Sequence, residues 1–61
     1  MVKEATTMYA IQSSDGDFYD FIKGWVQNKT VGCAKPYEVC LEMKHAIERK
    51  SPEYKPKIVT I

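Results

Sequence analysis

A chain of 61 residues forms one domain and buries only roughly 60% of the surface its unfolded form exposes, which leaves little room for a water-excluding catalytic pocket. Nine basic and eight acidic side chains give a formal net charge of +1, so the overall basic footprint of a typical nucleic-acid binder is absent. Hydrophobic residues make up 44% of the chain, too many for a disordered segment.

No apolar run is long enough to span a bilayer, and "MVKEATTMYA" lacks the apolar stretch of a signal peptide, so a cytoplasmic location is expected. In that reducing compartment Cys33 and Cys40 are expected as free thiols, and the glycosylation pattern Asn28–Thr30 goes unused. There is no repeat and no linker.

Residues 1–5 read as a loose arm. "TTMYAIQS", Thr6 to Ser13, is rich in β-formers and places Tyr9 and Ile11 on one face, Met8 and Ala10 on the other. A second β-rich run, "DFYDFI", covers Asp17 to Ile22. Between them Asp15-Gly16 predicts a hairpin with a type I′ turn, both residues taking positive φ. Residues 23–35, "KGWVQNKTVGCAK", form a long connection in which "TVGCA" is the candidate for a further short strand.

Pro36 opens a helix that runs to Lys50, with Val39, Cys40, Met43, Ala46 and Ile47 on its inward face. Ser51-Pro52 ends it, and "KIVTI", Lys57 to Ile61, forms the last strand. The expected fold is α+β: a three-stranded antiparallel sheet in β-β-α-β order with one amphipathic helix on one face and the other face open.

The acids of "SSDGDFYDF" invite a metal reading that does not hold. A calcium loop beginning at Asp15 has Tyr19 at its fifth position and Val26 at its twelfth, where an oxygen ligand and a glutamate are needed. Cys40 and His45 stand five apart on the helix, about 140° around it, and cannot chelate one ion together. No metal, no cofactor and no enzymatic activity are expected. Cys40 reads as a small core residue.

A second helical stripe is more informative. Tyr37, Leu41 and His45 recur at spacing four, roughly opposite Val39, Met43 and Ile47. Scattered exposed hydrophobics are ordinary, but anchors at i, i+4 and i+8 also describe a ridge that docks into a partner or a second copy. Trp25, on a glycine-flanked loop, either closes one end of the core or joins that ridge as an interface anchor. The alternative class is a small nucleic-acid-binding module, with aromatics on the open sheet face and Lys44, Arg49, Lys55 and Lys57 meeting phosphates; Asp15, Asp17 and Asp20 oppose it.

"YAI" at 9–11, "DGDFY" at 15–19, "GW" at 24–25, "AKPY" at 34–37 and "KIVTI" at 57–61 resemble short β-β-α-β proteins encoded by bacteriophages and mobile elements. The resemblance implies an accessory protein that binds a host enzyme or nucleic-acid machine and blocks it, and it carries over no catalytic residue. The connection from Trp25 to Lys35 and the two cysteines depart from that pattern. The expectation is therefore a non-enzymatic interaction protein that modulates a host protein, with homodimerisation open and no membrane partner.

Overall fold

The computed structural model describes residues 7–61; the arm expected at residues 1–5 lies outside them. The elements are β1 (Tyr9–Gln12), β2 (Phe18–Asp20), β3 (Gly24–Val26), α1 (Tyr37–Lys50) and β4 (Lys57–Thr60), with 3-10 turns at Val31–Cys33 and Pro52–Tyr54. Among the described residues the fold is α+β with one helix, as expected, but the antiparallel sheet has four strands in the order β3-β2-β1-β4. The extra strand is Gly24–Val26, inside the connection read as a loop, whereas "TVGCA" makes the 3-10 turn and no strand.

The β1–β2 hairpin forms where Asp-Gly predicts it, with different turn chemistry. Gly16 N–H donates to the Ser13 carbonyl at 3.0 Å and Ser13 N–H to the Asp17 carbonyl at 2.8 Å. Gly16 has φ +95°, and Asp15 is not among the residues with positive φ. This is a three-residue loop closed by a left-handed glycine, a geometry that asks for one glycine where a type I′ turn asks for two permissive residues. The Ser13 hydroxyl, buried, accepts from Asp17 N–H at 3.2 Å.

The β2–β3 hairpin has no sequence signature of that kind because a side chain builds its turn. Asp20 Oδ1 accepts from Ile22 N–H at 2.7 Å and Lys23 N–H at 2.9 Å, and Gly24 closes the loop with φ +93°. The other carboxylate oxygen accepts from the Thr30 hydroxyl. Gly32 packs so tightly beneath that a Cβ there would lie 2.6 Å from Asp20 Oδ1. One buried carboxylate thus ties the β2–β3 turn to the segment that follows β3.

That segment packs on one corner of the sheet face opposite the helix. Phe21 N–H donates to the Gly32 carbonyl at 3.1 Å, and Lys35 pairs with Tyr9 through two backbone bonds of 2.8 and 2.9 Å. β1 and β2 are paired at Gln12 and Phe18, and Lys35 occupies the same margin of β1 at Tyr9. Ala10 and Cys33 are wholly buried as a result. The face expected to be open is therefore covered at the corner around Ala10 and Asp20, while Phe18 and Val59 on the same face stay half-buried.

On the other face α1 lies across β1 and β4. Pro36 stands at the N-cap and its carbonyl accepts from Cys40 N–H; Ser51 N–H closes the far end on the Ile47 carbonyl at 2.6 Å. Ile11, Cys40 and Ile47 form the buried centre, packed by Tyr9, Tyr19, Phe21, Trp25, Met43, Tyr54 and Ile58. Val39, expected inward, is 39% exposed because the helix rolls onto the Cys40–Ile47 line.

With so few fully buried side chains, each matters. Ile11→Ala is expected to cost about 2–5 kcal/mol, read as a fall in the urea midpoint with little change in slope. For Asp20, its hydrogen bonds to Thr30 first, then to Lys23 and Ile22, hold the carboxyl below the ordinary aspartate value. The unfolded chain then takes up the proton more readily, so this contribution is complete above about pH 4 and lost as pH falls through the lower folded value. Asp20→Asn keeps an oxygen for the turn and removes the anion. It is expected to melt lower than wild type at pH 7, with the gap closing in acid; equal melting at both pH values contradicts this role.

Candidate functional site

Two surfaces flank the helix, and they share out the residues that the sequence had grouped together. Helix geometry puts Met43, Ala46 and Lys50 on one side of the Cys40–Ile47 line and Tyr37, Leu41 and His45 on the other. Trp25 lies on β3 at the far margin of the sheet, beside the first group. The expected single surface of Trp25 with Tyr37, Leu41 and His45 is therefore two surfaces, separated by the width of the helix.

The first is a groove of about 300 Å³ lined by Tyr19, Trp25, Met43, Ala46, Ile47, Lys50, Ser51 and Tyr54. Its wall is an aromatic file. The Tyr54 and Trp25 rings are 5.0 Å apart and tilted by 36°; Trp25 meets Tyr19 edge-on at 5.3 Å, and Tyr19 meets Phe21 likewise at 5.2 Å. Lys35 Nζ caps the file 5.4 Å from the Phe21 ring centre. Trp25 is half-buried, both a core neighbour and part of the groove wall.

Tyr54 reaches this position through three constraints. Its carbonyl accepts from Ser14 N–H of the first hairpin at 2.9 Å, its own N–H donates to Ser51 at 3.1 Å, and Lys55 follows in the left-handed region at φ +49°. Sequence reasoning passed over Tyr54. The signal was the frame "SPEYKP", in which two prolines restrict the chain on either side of one aromatic.

On the opposite flank Tyr37 packs edge-on against Tyr9, at 5.2 Å and 75°, yet stays 48% exposed. Leu41 is half-buried and His45 exposed. Two further aliphatics stand clear of the fold at the Asp20-tied corner: Ile22 at 88% and Val31 at 92% exposure.

Of the basic residues expected to meet phosphates, Lys44 is paired with Glu48 at 2.8 Å, while Arg49, Lys55 and Lys57 are exposed. The aromatics expected beside them on an open sheet face are placed elsewhere. Tyr9, Tyr19 and Phe21 pack against the helix-side core, and Phe18 lies under Lys29 Nζ, 5.6 Å from its ring centre. Asp20, one of the acids set against that reading, is turned inward to its own hydrogen bonds.

Cys33 and Cys40 are both free and wholly buried. Cys33 Sγ lies 3.5 Å from the Thr30 hydroxyl and Cys40 Sγ 3.8 Å from the Lys35 carbonyl, whereas His45 is exposed on the helix. Among the described residues no three His, Cys, Asp or Glu side chains converge as metal ligands, and no helix is long and apolar enough to cross a membrane.

No family model matches the chain, and neither does any curated protein or solved structure.

Burial pushes the Cys40 thiol above its ordinary value, so little thiolate is present at neutral pH. Both cysteines are expected to resist an aromatic disulfide reagent in the native state and to react fully and fast in guanidinium. Rapid native labelling of either thiol contradicts their placement.

Proposed function

We propose that this chain is a non-enzymatic binding protein that recognises another protein through the aromatic groove. The observation that carries the reading is the groove itself: an open slot walled by Trp25, Tyr54 and Tyr19, floored by Met43 and Ile47, with Lys50 at its edge. Trp and Tyr supply large, stiff contact area at low entropic cost, which is why they dominate binding hot spots.

Charge narrows the partner. Among the described residues Lys50 has no carboxylate partner, the ion pair there being Lys44 with Glu48. The groove therefore suits a segment that lays an aliphatic or proline side chain against the Trp25 and Tyr54 rings and presents an acidic residue to Lys50. In this reading Trp25, expected either to close one end of the core or to anchor an interface, takes both parts as one wall of a slot. Modulation of a host protein is the biological setting this reading proposes, in line with the phage-protein resemblance.

Selection from a displayed random-peptide library tests it. Peptides sharing an apolar residue beside an acidic one are expected, and they should shift the emission of the chain's single tryptophan. Tyr54→Ala should weaken the selected peptides by about thirtyfold, the scale of a hot-spot truncation. Lys50→Glu should select basic peptides in their place. Recovery of no peptide, or equal binding to folded Tyr54→Ala, overturns the reading.

A further inference from the structure

We infer that the margin of β4, together with the helix flank above it, is a self-complementary surface that pairs two copies of this chain. The inference uses the side of the molecule opposite the groove and does not rest on that site.

The backbone register identifies which groups are free. β4 pairs with β1 at Tyr9–Thr60, Ala10–Val59, Ile11–Ile58 and Gln12–Lys57, and Ile61 N–H donates to the Met8 carbonyl at 3.2 Å. In an antiparallel ladder, bonded and non-bonded pairs alternate. Met8–Ile61, Ala10–Val59 and Gln12–Lys57 are therefore the bonded pairs. Tyr9 agrees independently: its N–H and carbonyl both bond Lys35, on the margin of β1 away from β4. Ile58 and Thr60 consequently turn their N–H and carbonyl groups outward, and among the described residues no strand lies beyond β4.

One register satisfies all of these groups. With Val59 on a two-fold axis perpendicular to the sheet, Ile58 of each copy faces Thr60 of the other. Both pairs then fall at bonded positions and exchange four backbone hydrogen bonds. No proline or glycine interrupts Lys57–Thr60 and its residues are β-branched apart from Lys57; that one charge, of the kind that blunts an edge, stands ahead of the Ile58–Thr60 stretch whose groups face outward.

The same axis sets both helices on one side of the joined sheet. Because α1 lies over β1 and β4, its Tyr37–Leu41–His45 flank is the one turned toward the axis. Tyr37, nearly half exposed, and Leu41, half-buried, then meet their counterparts. An unrelated extended peptide would satisfy the edge but leave this flank uncovered, which is why a second copy fits it better. The sequence-level ridge thereby acquires an occupant.

Sedimentation equilibrium of the full chain, from micromolar to millimolar concentration, tests the pairing. Wild type is expected to approach twice the 7.0 kDa chain mass. Thr60→Pro removes an outward N–H that bonds nothing within the chain, and Leu41→Lys charges the flank without touching β4. Each should raise the dimer dissociation constant on the order of tenfold or more while leaving circular dichroism unchanged. Should Thr60→Pro fail to fold, Leu41→Lys decides. A wild-type chain that stays at one chain mass at the highest concentration overturns the inference. So does a dimer that survives unweakened in the folded variants.

Discussion

The Asp20 carboxylate is the fastening on which the arrangement depends. It makes the β2–β3 turn by accepting two backbone N–H groups, and it holds Thr30 so that the following segment crosses the sheet. Without that crossing, Ala10 and Cys33 would face water and Tyr9 would lose its two backbone bonds to Lys35. A buried charge is costly unless its hydrogen bonds are made, and here three donors converge on it. Gly32 belongs to the same device: the space a side chain would need is filled by the carboxylate. The corner so formed also fixes Ile22 and Val31 in their exposed positions.

On the helix side the chain compensates for a thin aliphatic core with rings. Ile11, Cys40 and Ile47 are the buried centre, and the file from Tyr54 through Trp25 and Tyr19 to Phe21 extends it toward β3. Edge-on aromatic contacts add roughly 0.5–1.5 kcal/mol beyond the area they bury, which matters more in a small domain than in a large one. Since the helix sits over β1 and β4 and not over the sheet centre, the Tyr54–Trp25–Tyr19 stretch of this file is left partly uncovered and becomes a wall of the groove. The same off-centre seat brings Tyr37 and Leu41 toward the opposite margin. Both candidate surfaces follow from one packing choice.

Much of this was legible in the residues. Asp15-Gly16 marks a hairpin, Pro36 and Ser51-Pro52 bracket the helix, and "KIVTI" is a strand. The third strand was hidden because Gly24–Val26 is too short to show alternation, and because apolar Phe21 and Ile22 sit in its turn and look like a continuing strand. A turn built by a side chain, two and three residues ahead of its donors, leaves little compositional trace. Val39 was misplaced because Val39 and Met43 fit an inward stripe about as well as Cys40 and Met43 do, and only tertiary contact chooses the roll. The aromatic face expected to be open vanished for the same reason: what covers a sheet is a long-range question. Trp25 and the Tyr37 flank were sound as apolar outliers but could not be assigned to separate sides without the helix axis.

The two margins of the sheet are not alike. The outer side of β4 is an unpaired edge that presents the polar groups of Ile58 and Thr60. At β3 there are three residues, opened by a glycine at φ +93° and followed at once by a bend. A molecule that could receive a strand at both ends would polymerise without limit, each addition creating the next acceptor. In the proposed pairing, an addition at the receptive margin would consume it and leave only the inhospitable one, so the assembly would close as a pair with no edge left to extend.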